Sequence, residues 1–210
     1  MIKILVADDH AIVREGLKQI VADTSDMVVA GEAVDGPEVL TLVRKEAWDL
    51  ILLDISMPGR GGIDILKDLK IQKPKLPVLV LSMHPEEQYA IRALKAGADG
   101  YLTKESAPEE LIEAIRKVSR GGKYISATLA ESLAFRVGTN PEKPLQETLS
   151  DREYQVMLMI ASGKTVTEIA NELSLSVKTI STNRVRALRK MGMKTNAELT
   201  YYAIKHGLVE

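Results

Sequence analysis

The sequence predicts an α/β domain, a doubly wound parallel sheet of (βα)5 order, followed by a small all-α domain of four helices. Three observations predict it. Five short apolar runs in residues 1–120 lack the alternation of a half-solvated strand, the stretches between them repeat near 3.6 residues, and past a glycine- and proline-marked interval only helical spacing continues. The strand-like runs are residues 2–7, 28–33, 50–53, 78–81 and 100–102; the helical stretches are 12–21, 37–45, 63–71, 86–95 and 108–118. Strict alternation of the two types requires crossover connections, hence parallel strands. Turn chemistry agrees: Pro58-Gly59, Gly61-Gly62, Gly97 and Gly100 punctuate element ends.

Residues 121–148 read as a linker, opening on Gly121-Gly122 and carrying Gly138, Asn140, Pro141 and Pro144, with a short helix expected over 127–135. The second domain is expected over 149–210. Ser150 precedes Glu153 by three positions, a capping box that opens a helix through Ile160, and Gly163 stops it. Further helices are expected over 166–173, 177–191 and 196–205, the first two capped by Thr165 and Ser176.

With 45% hydrophobic and 27% charged residues, the 210-residue chain can bury proper cores. It has no cysteine, which excludes disulfides, thiolate catalysis and zinc–thiolate sites, and its three scattered histidines make a poor metal set. No apolar run approaches the roughly 20 residues of a membrane helix and no signal peptide opens the chain, so a cytoplasmic protein without membrane partners is expected. Residues 1–120 carry 16 Lys+Arg against 20 Asp+Glu, whereas residues 149–210 carry 9 against 6. An acidic first half and a basic second half point to an anionic partner for the second.

In a parallel α/β sheet, ligands bind at the carboxyl ends of the strands. Asp8 and Asp9 follow the first expected strand, Asp54 and Ser82 end the third and fourth, and Lys104 follows the fifth after Tyr101. Each alone reads as a cap, a turn or a surface charge; together they converge on one edge. Carboxylates about 5 Å apart repel by roughly 3 kcal/mol per pair at an effective dielectric near 20, so this set requires a cation. Oxygen-only donors favour Mg2+. Asp54 is then the nucleophile for a phosphoryl group, with the ion, Lys104 and the Ser82 hydroxyl each answering a phosphoryl oxygen.

The segments Val6-Ala7-Asp8-Asp9-His10, Leu53-Asp54-Ile55-Ser56-Met57-Pro58-Gly59, Ser82-Met83-His84 and Gly100-Tyr101-Leu102-Thr103-Lys104 resemble receiver domains of two-component response regulators. The resemblance spans about the first 120 residues. It implies that Asp54 is the phosphoacceptor, that Asp9, Asp54 and the Ser56 carbonyl bind Mg2+ directly and Asp8 through water, that Ser82 and Tyr101 form a switch, and that a sensor histidine kinase is the phosphoryl donor. In that family the lysine is commonly followed by proline; here Glu105 follows Lys104. His10 and His84 shape site access or cap helices in this reading and take no part in the chemistry.

On the third helix of the small domain, Val177, Ile180, Leu188 and Met191 share one face, while Lys178, Thr182, Val185, Arg186 and Arg189 project from the other. Hydroxyls and cations on one helix face suit major-groove docking. Lys164, Thr165, Lys178, Thr179, Arg184 and Arg186 are the candidate phosphate contacts or their helix-end support, and Ser181, Thr182 and Val185 the candidate base-edge contacts. Leu149-Ser150-Asp151-Arg152-Glu153, Ile169-Ala170, Leu175-Ser176-Val177-Lys178-Thr179-Ile180 and Ala197-Glu198-Leu199 resemble the LuxR-type helix-turn-helix, and with the receiver the whole resembles the NarL/FixJ family. That family often has lysine, histidine and an apolar residue where this chain has Ser181, Asn183 and Arg184, which alters the expected DNA sequence rather than DNA binding.

The resemblance implies a transcription regulator that dimerises or releases its domains once phosphorylation draws Ser82 and Tyr101 inward, with DNA as partner, RNA polymerase as a further candidate and the last helix as a candidate dimer contact. Two rivals stand beside it. One is a Mg2+-dependent phosphatase or phosphotransferase, disfavoured because haloacid-dehalogenase-type enzymes, which use that chemistry, usually carry a second aspartate two residues after the first, where this chain has Ser56. The other is a DNA-binding protein independent of phosphorylation.

Overall fold

The computed structural model describes residues 1–57, 59, 61–84, 86–127, 129–131 and 144–209. The chain divides into two compact units, Met1–Leu133 and Ala134–Glu210.

The first unit alternates β1 (Ile2–Ala7), α1 (Ala11–Ala22), β2 (Met27–Ala33), α2 (Gly36–Lys45), β3 (Leu50–Asp54), α3 (Gly62–Gln72), β4 (Val78–Ser82), α4 (Glu86–Lys95), β5 (Gly100–Thr103) and α5 (Pro108–Ser119). The strands form one sheet of order β2-β1-β3-β4-β5, and all four pairings are parallel. Alternate strand residues Ile4, Val6, Leu50, Leu52, Leu79 and Leu81 pack in one cluster with Leu17 and Val21 of α1 and Leu111, Ala114, Ile115 and Val118 of α5. Their neighbours Leu5, Ile51, Leu53 and Val80 are also fully buried, so both faces of the sheet are covered, which is why the strand sequences show no polar alternation. Three strands run one residue beyond their expected ends, because Asp54 still pairs with Leu81 and Ser82 with Thr103. Asp54 and Ser82 therefore sit on the last rungs of the ladder rather than in loops.

The expected linker begins inside this unit. Tyr124 N–H donates to the Asp99 carbonyl at 2.9 Å, and the Tyr124 carbonyl accepts from Tyr101 N–H at 3.2 Å, an extra parallel bridge at the β5 edge. The Ser126 hydroxyl bonds Glu86 and accepts from Leu129 N–H at 3.0 Å, and Leu129 is buried. Described residues of 127–131 are helical, consistent with the start of the short helix expected there; residues 128 and 132–135 of that expectation, the turn residues Gly138, Asn140 and Pro141, and Pro58 lie outside the described residues.

The first described element of the second unit is a 3-10 turn, Leu145–Thr148, too short for periodicity to announce. Four helices follow: α6 (Asp151–Ala161), α7 (Val166–Glu172), α8 (Val177–Lys190) and α9 (Asn196–Lys205). Each starts as its capping residue dictates. Ser150 and Thr165 close reciprocal capping boxes with Glu153 and Glu168, Ser176 accepts from Thr179 N–H and Thr195 from Glu198 N–H. The core gathers Val156, Ile160, Ile169, Ala170, Leu173 and Ile180. The expected inner face of α8 is corrected in part: Ile180 and Ala187 are fully buried and Met191, just past its end, is buried, whereas Leu188 is half-buried and Val177, at the first helical position, is 48% exposed. Among the described residues, no helix is long and apolar enough to cross a membrane.

Candidate functional site

The first unit concentrates its buried polar side chains at the carboxyl ends of β1, β3 and β4: Asp8, Asp54 and Ser82 are each at most 1% exposed. Lys104, directly after β5, lays its ammonium between two of them, 2.6 Å from Asp8 Oδ2 and 2.7 Å from Asp54 Oδ2, with its side chain only 7% exposed. The other Asp54 oxygen accepts from Ser56 N–H at 2.7 Å. Gly62 lets this loop close, since a Cβ there would lie 2.3 Å from Ile55 Cα. The Lys104 backbone is fixed as well, its N–H donating to the Ser82 carbonyl at 2.8 Å, and the peptide to Glu105 is trans.

Burial pushes the Asp54 carboxyl above its ordinary pKa, against the opposing pull of Lys104. Burial also disfavours the Lys104 ammonium, but Asp54 and Asp8 more than offset it and hold its pKa above the usual lysine value. A stability consequence follows for Asp54. A carboxyl whose folded pKa exceeds its unfolded value contributes stability that is complete below the unfolded pKa and lost as pH rises through the folded one. Asp54→Asn cannot ionise and escapes that loss. In urea unfolding without divalent ions, the variant is expected to gain stability relative to the native chain as pH rises above the ordinary carboxylate range near ~3.9, with no such gain at and below it. An advantage independent of pH would contradict this.

One ligand atom from each of Asp8, Asp9, His10 and Asp54 lies within 4.8 Å of the others. Asp9 Oδ1 and Ser56 Oγ are buried without a hydrogen-bond partner, and His10 Nδ1 meets Asp9 Oδ1 at 3.2 Å only as an ion-pair contact. Three clustered carboxylates, two of them sharing one ammonium and the third with an oxygen that accepts no hydrogen bond, form a donor set that suits a hard divalent cation. His10, given no chemical role from sequence, stands at the mouth of this set with its side chain 63% exposed. Sequence reading also missed Arg14, one turn into α1, whose guanidinium donates to the Asp8 carbonyl at 2.8 Å; nothing in its local sequence signals that contact.

Ser82 Oγ accepts from His84 N–H at 3.0 Å. Tyr101 is 1% exposed and its hydroxyl donates to the His84 carbonyl at 2.9 Å, while the His84 ring stacks on Tyr89 of α4 with centroids 4.5 Å apart. The tyrosine expected to be drawn inward by phosphorylation thus already sits inward in this structure, because the His84 carbonyl satisfies its hydroxyl there.

In the second unit, Lys178, Thr179, Thr182, Val185 and Arg186 are exposed on α8, as expected of a reading face. Ser181 and Arg184 are half-buried, and Arg184 Nε is buried without a hydrogen-bond partner. Several candidates are engaged locally: Lys164 pairs with Glu172 at 2.5 Å, the Thr165 hydroxyl donates to Glu168 at 2.8 Å, Thr182 donates to the Lys178 carbonyl at 2.8 Å, and Thr179 shares a hydrogen bond with Ser176. Lys190 ties the end of α8 to buried Glu153 at 2.6 Å. On α9, Leu199, Tyr202 and Ala203 enter the core, whereas Tyr201 and Ile204 are 69% and 54% exposed.

Residues 4–116 match the response regulator receiver domain, and residues 147–203 match the bacterial regulatory proteins of the luxR family. The chain belongs to the NarL/FixJ response regulators. As a response regulator it is a transcriptional regulator of a two-component system, with a receiver domain and a LuxR-type DNA-binding domain. It is 39% identical to the response regulator UvrY of Escherichia coli strain K12 over 99% of this chain and 96% of that one. It is 38% identical to the response regulator GacA of Pseudomonas aeruginosa over 100% and 99%. Among solved structures, Salmonella RcsB bound to promoter rprA in the presence of the phosphomimetic BeF3− superposes with a TM-score of 0.67 at 28% identity, covering 96% of this response regulator and 97% of that chain. Another structure holds two RcsB dimers on two parallel DNAs, with a TM-score of 0.60 at 29% identity over 96% of each chain.

Proposed function

We propose that Asp54 accepts a phosphoryl group from the phosphohistidine of a sensor kinase, with Mg2+, and that this controls how residues 149–210 bind DNA. The observation that carries the reading is the buried Lys104 ammonium bridging Asp8 and Asp54 beside a buried Asp9 oxygen that accepts no hydrogen bond. Asp9, Asp54 and the Ser56 carbonyl are the residues to hold the ion directly, with Asp8 acting through water. When bound, Mg2+ supplies positive charge against the oxygens of the transferring group.

An Asp54 carboxylate oxygen forms the new O–P bond as the donor's N–P bond breaks, and the imidazole, which carries a proton on its other ring nitrogen in the phosphohistidine, keeps that electron pair and leaves neutral. Lys104 turns from one carboxylate to a phosphoryl oxygen. Ser82, which accepts from His84 N–H, keeps its own hydroxyl proton free to donate to another. Pulling Ser82 draws on the backbone that also anchors the Tyr101 hydroxyl, so Tyr101 is fixed in its inward position and the start of α4 is repositioned.

The domain division that serves this function is receiver 1–120, linker 121–148 and DNA-binding domain 149–210, working in the cytoplasm. A single small module contacts few phosphates and loses affinity steeply with salt, whereas a dimer spans two half-sites. RcsB, which has been seen bound to a promoter and as dimers on DNA, supports DNA-bound homodimers here, with the exposed Tyr201 and Ile204 of α9 as the contact offered. RNA polymerase is the partner through which such occupancy acts on transcription. Carrying a population from 1:99 to 99:1 requires about 5.5 kcal/mol, within reach of new aspartyl-phosphate contacts and a dimer interface together.

Incubation with acetyl phosphate, followed by intact mass and peptide mapping, tests the chemistry. One phosphoryl group per chain is expected on the Asp54 peptide, only with Mg2+ present, and none in Asp54→Asn. Uptake on another residue would contradict the assignment, and continuous donor turnover at enzyme-like rates would favour a phosphatase.

A further inference from the structure

Asp8 and Asp9 belong to a loop with no secondary structure of its own, yet their carboxylates must point into the cluster in one fixed arrangement. Both backbone groups of Asp8 are held. Its N–H donates to the Ala33 carbonyl at 3.1 Å, and its carbonyl accepts from an Arg14 Nη at 2.8 Å. Arg14 is only 13% exposed, and its Nε donates to Glu32 at 2.9 Å.

Glu32 is available because the β1–β2 register shifts between Ile4 and Leu5, which sets Glu32 opposite Val6 and Ala33 opposite Ala7. Val6 packs with Leu17 and Val21 of α1, so its rung partner Glu32 lies on the α1 side of the sheet. The other Glu32 oxygen takes Lys18 at 2.8 Å. A strand carboxylate thereby orients a planar guanidinium, and the guanidinium orients the acidic loop.

We propose that Arg14 is a positioning residue for the divalent-cation site, acting through the Asp8 carbonyl to aim Asp8 and Asp9, with Glu32 as its orienter. This rests on the reading of the acidic cluster as a Mg2+ site. A lysine cannot replace the fork, because one ammonium on a flexible stem does not hold the strand carboxylate and the loop carbonyl in a fixed geometry. Removing Arg14 leaves Glu32 paired with Lys18, so no buried anion is stranded and the variant is expected to fold.

The test is calorimetric titration of the full chain with Mg2+ alone, alongside Asp9→Asn, Arg14→Ala, Arg14→Lys and Glu32→Gln. Amide resonances of Asp8 and Asp9 are followed through the same titrations. The native chain binds and Asp9→Asn loses most of that affinity. Arg14→Ala binds about tenfold more weakly, the low end of what loss of an outer partner costs a metal site. Its Asp8 and Asp9 amides broaden before metal is added, and Arg14→Lys and Glu32→Gln fall between the two.

Should Arg14→Ala fail to fold, Glu32→Gln decides by the same comparison. Native-like affinity and unperturbed loop amides in a folded Arg14→Ala would overturn the proposal while leaving the Mg2+ reading intact. Absence of Mg2+ binding in the native chain would overturn the Mg2+ reading itself, and the role of Arg14 with it.

Discussion

Lys104→Ala is expected to accept phosphoryl groups from a small donor about a hundredfold more slowly than the native chain, with Asp54 still present. The ammonium contacts both Asp8 and Asp54 and is nearly inaccessible to solvent, so no water-borne cation of comparable placement replaces it. Loss of one preorganised charge aimed at a developing anion in a buried site costs on the order of 10²–10³ in rate. The same substitution leaves two buried carboxylates facing each other without their counter-charge. Breaking such a pair by removing one partner costs roughly 3–5 kcal/mol.

The pH dependence has a definite sign. Lys104 has a raised folded pKa, so its stabilisation is complete below the unfolded lysine value and is lost only as pH rises through the folded one; at neutral pH it is fully present. The variant's deficit is therefore full at neutral pH and shrinks as pH falls through the raised pKa of Asp54, where that carboxyl takes a proton. Single-turnover phosphorylation and urea unfolding check the two halves of this expectation. Asp54→Asn placed on top of Lys104→Ala restores most of the stability, because the uncompensated charge is gone.

Lys178→Ala with Arg186→Ala is expected to lower DNA affinity about a hundredfold near physiological salt, for specific and unrelated sequences alike. Both residues stand exposed on α8, and among the described residues neither enters an ion pair. Each phosphate contact removed reduces the slope of log affinity against log salt by about 1, so the double variant flattens it by about 2. Val185→Ala, at the 54% exposed centre of the same face, is expected to change the preferred sequence while leaving the salt slope unchanged. Fluorescence anisotropy across a salt series separates the two kinds of effect. A changed slope in the valine variant, or an unchanged one in the double variant, would contradict this division of the face.

The elements most legible in the sequence were those written in a single local code. Apolar runs without alternation announced five strands, of which β3 and β4 are buried throughout while the edge strand β2 is only partly covered, and Ser150, Thr165 and Ser176 announced three helix starts that the structure places at Asp151, Val166 and Val177. The acidic site was legible because each of its parts ends or follows a strand, and strand ends in a parallel sheet share an edge.

What depended on long-range contact was not legible. Arg14 reaches the Asp8 carbonyl only because a shifted β1–β2 register brings Glu32 alongside it. The root of the expected linker pairs with β5 because Tyr124 offers its backbone to Asp99 and Tyr101, a pairing no residue type advertises. The half-burial of Arg184 and the exposure of Val177 follow from how α8 seats on its neighbours, which a helical period alone fixes only to within one position.

Coupling between the acidic cluster and the basic helix is tested most directly by one titration: the full chain against DNA, with and without acetyl phosphate and Mg2+, native beside Asp54→Asn. A gain in affinity and in protein copies per DNA that needs donor, metal and Asp54 together is the result this account predicts. Equal binding by native protein under all conditions, or an equal gain in Asp54→Asn, would contradict it.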